Sequence, residues 1–339
     1  MIKFAVIGLD HRHVYHLIEE LLAVGAECAG YWTQTSDSRV LEGVRERFPQ
    51  IPPIDDRQAL LENPDIDLIV TAAVPCERAA IAIEAMRLGK DVLTDKPGIT
   101  DAEQLALVER TTQETGRIFS ICFSERMIVP AVQTALRLVT EGAIGEVIQT
   151  LGLGPHRLNR DIRPEWFFDT ATYGGILVDI ASHQIDQFMM FSGSSDAEIS
   201  HAAVGHFGAN TPNSFQDFGE IALRSASTGR RGYIRVDWFT PDGLPTWGDG
   251  RLFVLGTEGS LELRKYLDIE GRPGTDHLFL VDKKGTHHID CQQEPLVFFR
   301  QLVNDVRDRT ETAMRQSHVF TVSRLALEAD AIARQGDKQ

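Results

Sequence analysis

Ile2-Lys3-Phe4-Ala5-Val6-Ile7-Gly8-Leu9-Asp10-His11-Arg12-His13 is the stretch on which the fold turns. An apolar run of strand length ends at a glycine, crosses a polar turn and enters a helix-patterned segment at 17–24. The same alternation continues downstream: apolar runs at 28–32, 68–71, 92–93 and 118–122 are interleaved with helix-patterned segments such as 79–88 and 102–113. Buried strands alternating with helices predict a parallel sheet covered on both faces. Residues 1–122 therefore read as an α/β domain of the Rossmann, dinucleotide-binding type.

The pattern changes after residue 122. A helix-like stretch at 130–141, a strand at 147–153 and a helix at 175–191 precede strand-like runs at 202–208, 218–223, 233–239, 252–255, 261–263 and 277–281. Helices at 295–307 and 317–333 close the chain. Strands that follow one another without helices predict a mostly antiparallel or mixed sheet, so residues 123–339 read as an α+β domain for substrate binding and oligomerisation. The last helix is free to pack back on the first domain.

Composition narrows the function. The 339 residues carry a formal net charge of −15, which argues against a nucleic-acid backbone or an anionic membrane surface as the main partner. No apolar run approaches the roughly 20 residues that span a bilayer, and the start of the chain lacks a signal-peptide layout, so a cytoplasmic location is expected. Cys28, Cys76, Cys122 and Cys291 are scattered singly, without the close pairs of a zinc site or the density of a disulfide scaffold. Free thiols are expected.

The Gly8 turn holds only the first of the three glycines that let a dinucleotide's pyrophosphate approach the backbone. Asp10 occupies the second position and brings a carboxylate towards a phosphate unless it turns away or is offset by His11, Arg12 or His13. The following helix start still offers amides to an anion. Beyond Trp32 the chain reads Thr33-Gln34-Thr35-Ser36, without the acid that usually holds the ribose of NAD. Hydroxyls there, with Arg39, suit a 2′-phosphate, so NADP stands beside NAD as the expected cofactor.

Lys96 leaves a strand end in a defined direction, because Pro97 restricts it to an extended conformation. Asp179, His183 and Asp186 at i, i+4 and i+7 are expected on one helix face, opposite a core stripe of Leu177, Ile180, Phe188 and Phe191. Gly174-Gly175 permits close backbone approach just before it. Lysine, histidine and carboxylate together form a proton-transfer set for neutral pH. Asp179 and His183 also have a metal-ligand spacing, but no companion ligand follows at helical spacing, and no metal is expected. His156, Arg157, Arg163 and Trp166 are either cleft contacts or ordinary loop residues.

The Asp95-Lys96-Pro97 step, the Gly174-Gly175-x-x-x-Asp179-x-x-x-His183-x-x-Asp186 segment and Gly142-x-x-Gly145 resemble the Gfo/Idh/MocA family of glucose-fructose oxidoreductase and inositol dehydrogenase type enzymes, with His16, Arg126 and Pro130 in keeping. The resemblance implies NAD or NADP on the first domain, at Gly8 to His13, Thr33, Thr35, Arg39, Ala73, Lys96 and Pro97. It implies a sugar, polyol or cyclitol in a cleft facing a large open sheet of the second domain, with Arg126, His156, Arg157, Arg163, Trp166 and Asp186 as candidate contacts. Lys96 would orient and polarise the substrate oxygen, His183 would move the hydroxyl proton, and Asp179 would hold the site's geometry and charge. A homodimer or homotetramer through the second sheet is expected. Asp95 stands where glutamate is usual, and Arg78 where histidine is common. Two other readings stay open: a lyase or glycosidase that uses NAD transiently, and a non-catalytic dinucleotide- or sugar-sensing protein.

Overall fold

Strands form where short apolar runs meet turn residues, in a computed structural model that describes residues 1–35 and 37–336. In chain order they are β1 (Lys3–Leu9), β2 (Glu27–Trp32), β3 (Leu68–Ala72), β4 (Asp91–Asp95), β5 (Phe119–Cys122), β6 (Val147–Pro155), β7 (Ala197–Gly205), β8 (Phe218–Ser225), β9 (Arg231–Asp237), β10 (Arg251–Gly256), β11 (Ser260–Arg264), β12 (His277–Asp282) and β13 (Gly285–Ile289). The helices are α1 (Val14–Ala23), α2 (Ser38–Arg47), α3 (Arg57–Glu62), α4 (Pro75–Arg87), α5 (Ala102–Thr115), α6 (Ser124–Met127), α7 (Pro130–Thr140), α8 (Thr170–Tyr173), α9 (Ile176–Asp179), α10 (Ala181–Ser192), α11 (Phe298–Asp308) and α12 (Gln316–Gly336). Among the described residues, no helix is long and apolar enough to cross a membrane. The chain divides into two compact units: Met1–Cys122 with Pro164–Gly174 and Val297–Phe320, and Phe123–Arg163 with Gly175–Leu296 and the chain from Thr321 on.

The first unit holds a five-stranded parallel sheet in the order β2-β1-β3-β4-β5. β3, β4 and β5 are buried along their whole length, as expected of strands covered on both faces. Strand order reverses between β1 and β3, so the carboxyl ends at Leu9 and Ala72 border the crevice in which such sheets bind ligands. Helix α5 is capped at both ends, by the Asp101 carboxylate on the amide of Gln104 and by Gly116 in the left-handed conformation. Helix α1 has His13 as its N-cap and no side-chain cap. That helix start lies at the crevice.

The second unit is built on an eight-stranded sheet, β13-β12-β11-β10-β6-β9-β8-β7, antiparallel except for the β6–β9 pair. Alternating burial in β8 and β10 gives it one covered and one open face. α10 lies on the covered face against β6 and β9, and glycines in those strands allow it. A Cβ at Gly152 would stand 2.9 Å from Gln184 Cγ, and one at Gly232 would stand 2.7 Å from Phe188 Cδ2. The open face bears Ile148, Leu255 and Val281.

Two features depart from the sequence expectation. β13, α2 and α3 are too polar to stand out in an apolar pattern. The expected single helix over 175–191 is two, α9 and α10, joined at Ile180. Ser182 donates its hydroxyl to the Asp179 carbonyl at 3.4 Å, and the amide of His183 turns to the Ile180 carbonyl at 3.1 Å. A side-chain hydroxyl thus competes for the carbonyl that would have continued the helix. Asp179 and His183 belong to successive helices and do not form a within-helix i, i+4 pair. Asp186 lies within α10.

Candidate active site

In the first unit the site is organised by Arg78, which along the sequence is only a departure from a family pattern. Its guanidinium, 1 % exposed, donates from Nε to the Ala73 carbonyl at 2.7 Å and from Nη1 to the carbonyls of Asp95, Lys96 and Pro97 at 3.0, 2.7 and 3.0 Å. Nη2 reaches Asp95 Oδ2 at 3.3 Å. One planar donor fork therefore holds the whole Asp95-Lys96-Pro97 turn, whose Lys96–Pro97 peptide is cis. Lys96 itself is buried. The signal was available as an arginine in the first turn of α4, where a cation is unfavourable beside the helix dipole unless something else holds it.

Asp95 also receives two imidazoles. His13 Nδ1 lies 2.9 Å from Oδ1, and His11 Nδ1 lies 3.2 Å from Oδ2. Burial pushes the His11 imidazole down to about 4 and that of His13 down to about 3, against the pull of the carboxylate in each case. Burial alone would raise the Asp95 carboxyl, yet His13 and Arg78 hold it well below the usual range. Both imidazoles are neutral at pH 7 and the carboxylate is charged. His16 continues the string, its ring 5.2 Å from that of His13 and its Nε2 4.0 Å from Cys122 Sγ.

The turn after β1 meets some requirements of a dinucleotide and alters others. Gly8 has φ +87°, and a Cβ there would stand 2.4 Å from Ala73 Cβ, so the close approach of β1 and β3 needs this glycine. The amides of Asp10 and His11 both donate to the Ala72 carbonyl, at 3.0 and 2.9 Å. They point into the protein, so any amide cradle has to be built from the helix start beyond them. Burial raises the Asp10 carboxyl against a hydrogen bond from Thr35, so this side chain is turned onto its own unit. Arg12 is exposed.

Beside the end of β2, Tyr31, Trp32, Thr33, Leu41, Arg45 and Ile54 help to line a cavity of about 220 Å³. Its place at a strand's carboxyl end, with an indole on its wall, fits the adenosine part of a dinucleotide. Thr33 Oγ1 accepts the amides of Leu9 and Thr35, at 3.3 and 3.0 Å, and Thr35 Oγ1 accepts that of Asp37 at 3.2 Å. Arg39 sets its Nε 3.2 Å from Asp37 Oδ1. The cation expected to meet a 2′-phosphate thus faces a carboxylate, and Asp37 is an acid a few residues later than the usual position. The expected Ser36 lies outside the described residues.

In the second unit Asp179 and His183 flank the α9–α10 break, both buried, with the Phe123 ring edge-on to His183 at 6.3 Å. Glu125 of α6 accepts from Lys265 Nζ at 2.5 Å and from Gln184 Nε2 at 3.0 Å. Burial would raise this carboxyl, but Lys265, followed by His183 and His156, brings it down to about 2. The neighbouring Arg126 binds Asp186 bidentately at 2.7 and 2.9 Å. Arg126 and Asp186, expected as substrate contacts, are instead closed on each other, the strongest geometry open to such a pair. Adjacent residues of α6 thereby fasten Gln184 and Asp186, on either side of Ile185, and fix how α10 presents His183.

The remaining expected contacts all make contacts within the protein. His156 Nδ1 bonds the Gly154 carbonyl at 2.9 Å, and its ring packs edge-on to Trp238 and Trp247. Arg157 holds the carbonyls of Pro241 and Leu244. Arg163 donates to the Leu158 carbonyl at 2.9 Å and lies over the Trp238 ring. Trp166, half-buried in the first unit, meets Phe167 at 6.0 Å.

The oxidoreductase family model with an NAD-binding Rossmann fold matches residues 2–123, and the GFO/IDH/MocA C-terminal domain model matches residues 132–262. A crystal structure of a protein from Erwinia carotovora atroseptica SCRI1043 is 42 % identical, with a TM-score of 0.95 over 98 % of this chain and 99 % of that one. The scyllo-inositol 2-dehydrogenase (NADP(+)) of Bacillus subtilis (strain 168) is 24 % identical over 183 residues, 53 % of this chain. That match spans about half of the relative's own length, 51 %. Levoglucosan dehydrogenase in complex with NADH and levoglucosan shares the fold, with a TM-score of 0.78 at 19 % identity over 99 % of this chain and 97 % of its own.

Proposed function

Since this chain belongs to the GFO/IDH/MocA oxidoreductase family, we propose that it is an NAD(P)-dependent dehydrogenase or reductase acting on the CH–OH group of a sugar, polyol or cyclitol. The observation that carries the reading is Lys96: a buried lysine at the carboxyl end of a parallel strand, its turn gripped by Arg78 through three successive carbonyls. Such a position suits a cation that must meet a ligand oxygen. Similar proteins are named for scyllo-inositol and levoglucosan, which sets the substrate class tested first.

When bound, the nicotinamide accepts or returns the hydride. The protein's own groups handle the oxygen. Lys96 donates to the substrate hydroxyl and stabilises the negative charge that grows on it as the C–H bond breaks. A ring nitrogen of His183 takes the O–H proton, which leaves a positive charge on the ring. Asp179 steadies that charge and the ring's orientation. Gly8, Ala73 and the hydroxyls of Thr33 and Thr35 border the cofactor's path along the strand ends. Arg39 is answered by Asp37, so a 2′-phosphate would meet a carboxylate, and NAD is the preferred cofactor. The open face of the second sheet, with Leu255 and Val281, joins copies of the chain.

Fluorescence titration with NADH and NADPH, followed by turnover assays on inositols, anhydrosugars and aldoses, tests the reading. NADH binding with oxidation of at least one such alcohol is the expected result. Nucleotide binding without turnover would favour the sensing protein, and product formation without net nicotinamide reduction would favour the lyase. Light scattering of the purified protein reads the oligomer.

A further inference from the structure

The cluster at the head of the first unit has the make-up of a metal centre, independently of the dehydrogenase reading. One ring nitrogen each of His11 and His13 and a carboxylate oxygen of Asp95 all lie within 4.8 Å of one another. His13 Nδ1 lies 2.9 Å from Asp95 Oδ1 and His11 Nδ1 lies 3.2 Å from Oδ2, so each imidazole faces its own oxygen of the carboxylate. Ligands about 2.0–2.2 Å from a first-row divalent ion are separated along the edges of its polyhedron by about 2.9 Å, if octahedral, to about 3.4 Å, if tetrahedral. Both separations fall in that interval.

Hydrogen bonding alone leaves a conflict at His11. Its Nδ1 faces the amide of His13 at 3.4 Å, which requires a lone pair, and Asp95 Oδ2 at 3.2 Å, which requires a proton. One nitrogen cannot satisfy both. With a lone pair on Nδ1, a cation shared with the carboxylate removes the repulsion. The turn also supports side-chain chemistry, because its Asp10 and His11 amides are committed to the Ala72 carbonyl. The imidazoles are 16 % and 27 % exposed, which leaves an approach for an ion and room for further ligands. Arg78 orients the carboxylate from behind, as outer-shell partners do, while its charge lowers the affinity relative to an isolated triad.

We propose that His11, His13 and Asp95 bind a divalent transition-metal ion, with zinc the best fit to two imidazoles and one carboxylate. Magnesium and calcium, which prefer all-oxygen surroundings, are excluded by the two nitrogens. Water or an anionic oxygen would complete the coordination of the ion.

The tag-free full chain, stripped with chelator, is titrated with Co²⁺ at pH 7.5 and followed by its visible absorption. The expected result is a single equivalent with a low-coordinate cobalt spectrum, displaced by Zn²⁺ and untouched by Mg²⁺, together with a Zn²⁺-dependent rise in Tm. His13→Gln, and separately His11→Gln, should abolish the band while leaving circular dichroism unchanged. The surface variant His288→Gln should keep it. Absence of stoichiometric cobalt binding, or a band that survives in both the His11 and His13 variants, overturns the proposal and leaves a carboxylate bridged by hydrogen bonds only.

Discussion

Asp95 in the first unit is surrounded by two imidazoles and a guanidinium, whereas Glu125 in the second is answered by one ammonium and one amide. Both carboxylates are buried and both are held anionic. They differ in their surroundings. The two imidazoles beside Asp95 stand partly open at a sheet's ligand-binding edge, whereas the Lys265 side chain is fully enclosed and that of Glu125 is 3 % exposed. A sealed ion pair gives little net stability, but it specifies one packing, here the seating of α10 under His183. An open cluster is placed to meet a ligand. Burial of charge therefore has two uses in one chain, and access of water separates them.

The sharpest contrast is kinetic. Lys96→Ala and His183→Ala should each lower turnover on the true substrate by about two to four orders of magnitude with the unfolding midpoint nearly unchanged. Normal turnover in the His183 variant would remove it as proton acceptor. Lys265→Met should act the other way, costing about 3–5 kcal/mol in urea unfolding because the Glu125 charge is left without its partner. Adding Glu125→Gln should recover most of that loss. If the single variant is as stable as the parent, the sealed pair is not what seats α10.

Acid should separate the units. In the metal-free chain His11, His13 and His16 are held at about 4, 3 and 4, below the ordinary imidazole value of 6.5, with burial the leading cause. The unfolded chain binds their protons first, so stability falls as pH drops from about 6.5 towards those folded values. Glu125, held at about 2 against an ordinary 4.5, keeps its contribution until pH falls below about 4.5 and loses it towards 2. Hydrogen exchange at pH 5 should therefore show weakened protection in β1 and β4 and unchanged protection in α10. Equal loss in both would break the contrast. The smallest effect concerns cofactor choice: Asp37→Ser keeps a helix cap and removes the charge facing Arg39, and should raise NADPH affinity relative to NADH about severalfold. No change in the ratio would place Asp37 outside the site.

Much of this was readable along the chain. The alternation of buried runs and helices in residues 1–122 specified a parallel sheet, because a strand covered on both faces must be apolar throughout. The later succession of strands specified a second, mostly antiparallel or mixed sheet, and Lys96, Asp179 and His183 stood out as chemistry-bearing types in constrained positions. Periodicity reports which face of an element is dry, and it does so locally. Choice of partner is not local. The parallel pairing of β6 with β9, the break at Ile180, the closure of Arg126 on Asp186 and the turn of the Asp10 and His11 amides onto Ala72 each depend on a group distant in sequence or on competition for one carbonyl. Arg78 is the clearest case, since its place in the first turn of α4 signals that its charge must be held but not by what. The tertiary structure turned it into the clamp of the Lys96 turn by placing four carbonyls and a carboxylate within reach of one guanidinium.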